Sequence, residues 1–100
     1  MTEDVGELTL QREMGCTREE FVRWLPGATR CADVKLDPEQ AVIALGDGTV
    51  TISFRQAAPR RIALVSIPVL AVSFRFSRVG ALARAEFMAY FDLYTKRGGG

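Results

Sequence analysis

One hundred residues, 48% hydrophobic and 25% charged with a formal net charge of +1, make a single domain long enough to bury about 60 to 70% of its unfolded surface. That balance lies outside the composition of disordered chains. The longest apolar run, residues 62–74, is broken by Ser66, Pro68 and Ser73 and falls short of the roughly 20 residues that cross a bilayer.

The opening MTEDVGEL is acidic and lacks the basic segment and apolar core of a secretory signal, so a cytoplasmic location and a flexible stretch over residues 1–6 are expected. From residue 7, ELTLQREM alternates, with Leu8, Leu10 and Met14 on one side and Glu7, Thr9, Gln11 and Glu13 on the other. The period predicts a half-buried strand. Arg12 breaks it, falling on the apolar side, where its stem is expected to lie over the core near a sheet edge.

CTREEFVRWLPGA carries a helix start in Thr17 followed three positions later by Glu20, a capping-box pattern. Phe21, Trp24 and Leu25 share one face, and Pro26-Gly27 predicts the stop. Residues 28–40 read as a loop in which Val34 and Leu36 allow a short edge strand. AVIALGDGTVTISF then places Gly46-Asp47-Gly48 between two β-rich runs, with Asp-Gly the favoured turn pair. Val50, Ile52 and Phe54 point one way; Thr49, Thr51, Ser53 and Arg55 point the other, towards water.

RIALVSIPVLAVSFRF is too long for an ordinary strand and holds Pro68, which cannot donate to a ladder. Two strands over 61–67 and 69–76 are expected, with one long strand bent at a bulge as the alternative. Helical character runs from about Val79 to Lys96, with Ala83, Phe87, Tyr90, Phe91 and Tyr94 on a broad face and an Asp92–Lys96 pair in the favourable order. Leu82, Met88, Ala89 and Leu93 lie off that face, which predicts a second buried contact, with the first helix or with another subunit.

The expected fold is therefore α+β, in the order β-α-β-β-β-β-α, an antiparallel sheet with two helices packed on one face. This order resembles the TATA-binding-protein-like and helix-grip folds in topology, without the wedge-forming aromatics of a DNA-facing sheet. The segments CTREEFVRWLPGA and FMAYFDLYTKRGGG are similar to those of a family of small uncharacterised bacterial proteins, a resemblance that implies no activity.

Chemistry-bearing residues are few. The chain has no histidine, which removes the commonest general base and transition-metal ligand. Its two cysteines, Cys16 and Cys31, are expected to stay reduced and packed, and its carboxylates stand singly, so no catalytic residues, metal or cofactor are assigned. Gly46-Asp47-Gly48 is a turn, since no helix with a following Lys leaves it.

Three functional readings follow. A protein-interaction module, self-associating or binding another protein, would use the wet sheet face, where Thr51, Ser53, Arg55, Ser73 and Arg75 project together if their strands are neighbours. A small-ligand binder would use an apolar pocket lined by Trp24, Phe87, Tyr90 and Tyr94. A carrier of the ubiquitin-like or sulfur-transfer kind would use the terminal glycines, with Gly99 and Gly100 as a reactive tail. The module is the leading expectation. The glycine tail over 97–100 then reads as a helix ending, and nucleic acid is not an expected partner, because no aromatics for base stacking interleave on the wet face.

Overall fold

The computed structural model describes residues 8–30 and 34–98. Five strands form one antiparallel sheet: β1 (Leu8–Met14), β2 (Lys35–Asp37), β3 (Gln40–Leu45), β4 (Gly48–Ile62) and β5 (Val65–Ser77), in spatial order β1-β5-β4-β3-β2. Helix α1 (Arg18–Thr29) follows β1, and α2 (Ala81–Gly98) follows β5. The α+β class and the element order are those expected from the sequence.

Both helices pack on the same face. Rows such as Leu10, Phe74, Ile52 and Ala41 cross the sheet in register and meet Phe21 and Leu25 of α1 and Phe87, Met88 and Phe91 of α2 in one core. Phenylalanine rings make the joints: Phe21 lies 5.0 Å from Phe54, Phe74 4.9 Å edge-on from Phe91, and Phe76 5.7 Å from Phe87. Contacts of this geometry add about 0.5–1.5 kcal/mol each beyond the area they bury.

Several local expectations are corrected. Helix α1 does not stop at Pro26-Gly27 but runs on to Thr29 and closes on Arg30 in the left-handed conformation, whose N–H reaches the carbonyls of Gly27 and Pro26. Ala28 and Thr29 are buried, and their packing holds the last turn in place although Pro26 forfeits one helical hydrogen bond. Residues 28–40 are accordingly not a loop throughout: they hold the end of α1, the edge strand β2 and the Pro38-Glu39 turn into β3. The β3–β4 turn is Gly46-Asp47, with φ of 62° at Gly46, and Gly48 already pairs with Leu45.

The largest correction concerns the two long strands. Residues 61 and 62 close β4, and residues 65–77 form one strand through Pro68, so the hairpin turns at Ala63-Leu64, inside the first of the two strands expected over 61–67 and 69–76. The register slips between Ala57 and Arg60, which sets Ala58 and Pro59 against Pro68. The two prolines meet at a bulge, where neither is asked for a ladder N–H.

In α2 the buried residues are Phe87, Met88, Phe91 and Thr95, whereas Ala83 is exposed. The helix therefore turns Met88 inward, against the expected face. Asp92 pairs with Arg12 on β1 and not with Lys96.

Candidate functional site

Among the described residues no helix covers the second face of the sheet. Register fixes what lies side by side there. Gln11, Ser73, Ser53 and Gln40 form one row across β1, β5, β4 and β3. The row on one side is Thr9, Arg75, Thr51 and Val42, and on the other Glu13, Ala71 and Arg55. All five residues expected on the wet face are thus brought together, because alternation puts them on one side and pairing aligns them.

Arg55 and Arg75 flank the serine pair. Thr51, the cross-strand neighbour of Arg75, precedes Arg55 by four residues on β4, so the two arginines sit about 14 Å apart along the strands. Both are exposed, and among the described residues neither joins an ion pair. Glu13 is engaged by Arg60 at 3.3 Å. An open depression of about 530 Å³ lies over this area, lined by Gln11, Glu13, Glu39, Ser53, Arg55 and Ser73. The sequence alone did not show that Gln40 and Glu39 belong here. Alternation along β1 did put Gln11 and Glu13 on the wet side, but cross-strand register carries no local signal.

The four aromatic residues are divided. Phe87 is buried between Phe76 and Phe91. Tyr90, half-buried, carries the Arg30 guanidinium 3.7 Å above its ring and borders a depression with Phe87, Leu45 and Leu93. Trp24 borders a different one, with Met14, Cys16 and Asp92. Tyr94 lies across Gly27 where α2 crosses α1, so closely that a Cβ on Gly27 would collide with its ring.

Helix α1 begins with the expected capping box. Thr17 Oγ1 accepts from Glu20 N–H at 3.2 Å, and Glu20 Oε1 accepts from Thr17 N–H at 2.9 Å. Gln56 completes the helix start: its Oε1 accepts from Arg18 N–H at 3.0 Å, while its Nε2 donates to the carbonyls of Val69 and Cys16. With these donors satisfied internally, the helix start is a joint between α1, β4 and β5. Cys16 beside it is buried, and burial, reinforced by the nearby Glu20 carboxylate, pushes its thiol up to about 11. Such a thiol is a packing residue and a poor nucleophile at neutral pH.

Cys31, Gly99 and Gly100 lie outside the described residues, as does the segment 1–6; α2 itself continues into Gly98. Among the described residues no helix is long and apolar enough to cross a membrane, and no group of three or more His, Cys, Asp or Glu is arranged to hold a metal ion. No protein-family model, curated protein or solved structure matches the chain.

Proposed function

We propose that the chain is a non-catalytic protein-binding module whose recognition surface is the helix-free face of the sheet. The observation that carries this reading is the pair Arg55 and Arg75, exposed and without ion-pair partners among the described residues, on either side of the Gln11–Ser73–Ser53–Gln40 row. Planar guanidinium groups suit carboxylates, and the row between them offers hydroxyl and amide groups to a peptide backbone.

The spacing favours an extended acidic segment. In a strand, side chains at i and i+4 lie on one face about 14 Å apart, the separation of the two arginines. Glu13 and Glu39 border the same depression and repel a continuous polyanion, so patterned carboxylates fit better than a nucleic-acid backbone.

Titration with labelled extended peptides tests this. Peptides with glutamates at i and i+4 bind more tightly than the same peptides with glutamates at i and i+3, and Arg55→Ala/Arg75→Ala removes the difference. Equal binding of both spacings, or a preference that survives the double substitution, contradicts the reading.

A further inference from the structure

Among the described residues the outer halves of β4 and β5 have no strand partner but each other, and only their base, through Arg60, Ile67 and Pro68, touches Glu13 and Gly15. β3 pairs with β4 only as far as Ser53, and β1 pairs with β5 only from Leu70. Residues 57–69 therefore form a two-stranded arm that accounts for much of the 52 Å long axis of a molecule 26 by 24 Å across. A ribbon of two strands is marginal in water on its own. Yet this one ends in apolar side chains: Leu64 is fully exposed, and Ile62 and Val65 are more than half exposed.

A second uncovered apolar surface lies on the same chain. The outward side of α2 presents Leu82 and Leu93, both more than half exposed, with Ala85 and Ala89 between them. It leads into the depression bordered by Leu45, Phe87 and Leu93, about 820 Å³ in volume. α2 starts next to the end of β5 and finishes beside Met14 and Cys16, at the base of the arm. The depression thus lies towards the end of the body away from the arm.

The lengths match. Six or seven residues from Ala57 to the tip make an arm about 23 Å long, and the eighteen residues of α2 make a track about 27 Å long. Two copies set antiparallel, each arm lying along the other's α2, cover both surfaces at once and close with two-fold symmetry. α2 carries Arg84, Lys96 and Arg97 as well as Glu86 and Asp92, but one pair of opposite charges falls in the same register. Arg61 stands two or three residues from the tip, about 7 to 10 Å, and Glu86 stands five residues from the start of α2, about 7.5 Å. Residues 56–69 contain Arg60 and Arg61 and no acidic residue.

We infer that the arm is a dimerisation device: it embraces a second copy of this chain, setting Leu64 beside Leu82 at the start of α2 and Arg61 against Glu86. This surface is separate from the open sheet face, and the inference does not rest on the peptide-binding reading.

Sedimentation equilibrium of the purified chain tests it. The chain is dimeric; Leu64→Asp and Arg61→Glu each weaken self-association by about tenfold or more, and Glu86→Arg restores it in the Arg61→Glu background. Because Leu64 and Arg61 are exposed, thermal melts of the variants show an intact fold. A chain that stays monomeric overturns the inference and leaves the arm to a foreign partner. A dimer indifferent to Leu64→Asp overturns it, as does a loss in Arg61→Glu that Glu86→Arg fails to restore.

Discussion

The Arg12 guanidinium lies 3.2 Å from the Asp92 carboxylate and ties the edge strand β1 to α2. Arg12 sits on the helix-facing side of the sheet, opposite Val72 and between Leu10 and Met14. Its stem covers the core margin, and its charge is met by the helix that caps that margin. Both side chains are more than a third exposed, so the ion pair itself contributes less than about 1 kcal/mol. Asp92→Asn and Arg12→Met are therefore nearly neutral in urea denaturation. Arg12→Asp, which sets two carboxylates together against apolar surface, costs about 1–3 kcal/mol.

Gly27 of α1 lies directly against the Tyr94 ring of α2. In an exposed helix Gly→Ala gains up to about 1 kcal/mol. Here the added methyl collides with the Tyr94 ring, and overpacking costs about 1–3 kcal/mol, so the clash wins. Gly27→Ala destabilises the chain, and in a Tyr94→Ala background the same change turns neutral or stabilising. A double-mutant cycle in urea gives both signs.

The arm turns on Ala63, a non-glycine residue with φ of 55°. The left-handed region costs an alanine roughly 1 kcal/mol that glycine is spared. Ala63→Gly raises the thermal midpoint, or leaves it unchanged where greater freedom of the unfolded chain offsets the relief. A marked fall contradicts the strained turn.

Burial of Cys16, with Glu20 beside it, raises the thiol from 9.0 to about 11, a difference of roughly 2–3 kcal/mol between protonation states. The folded chain holds this proton more tightly than the unfolded one. The stability it contributes is complete below pH 9 and is lost as pH rises from about 9 to about 11. Urea midpoints across that window fall more steeply in the parent than in Cys16→Ala, and in a Cys31→Ser variant the remaining thiol resists disulfide reagents at neutral pH until the chain unfolds.

The sequence displayed what is local. Thr17 and Glu20 announced the start of α1 because a capping box lies within four residues, and alternation sorted Thr51, Ser53, Ser73 and Arg75 onto one face. What was hidden depends on tertiary contacts. Pro26-Gly27 reads as a stop, but burial of Ala28 and Thr29 carries the helix through it. The arm turn at Ala63-Leu64 has none of the residues that mark hairpins, whereas Pro59 and Pro68 mark a bulge that sequence mistakes for chain reversal or interruption. Asp92 looked sufficient as a partner for Lys96 until the fold brought Arg12 from eighty residues away. The open face was legible residue by residue, and its geometry was not, since the Arg55–Arg75 spacing exists only once β4 and β5 are in register.

The central claim is that the helix-free sheet face meets a protein partner, and site-specific photo-crosslinking in the source cells tests it most directly. A photoreactive residue replaces Ser73 on that face or, separately, Ala85 on the outer side of α2. The account predicts a discrete adduct with a different protein from position 73, abolished by Arg55→Glu/Arg75→Glu, while position 85 yields the chain crosslinked to itself. A foreign adduct from position 85 with none from position 73, or a position-73 adduct indifferent to both arginines, would contradict it.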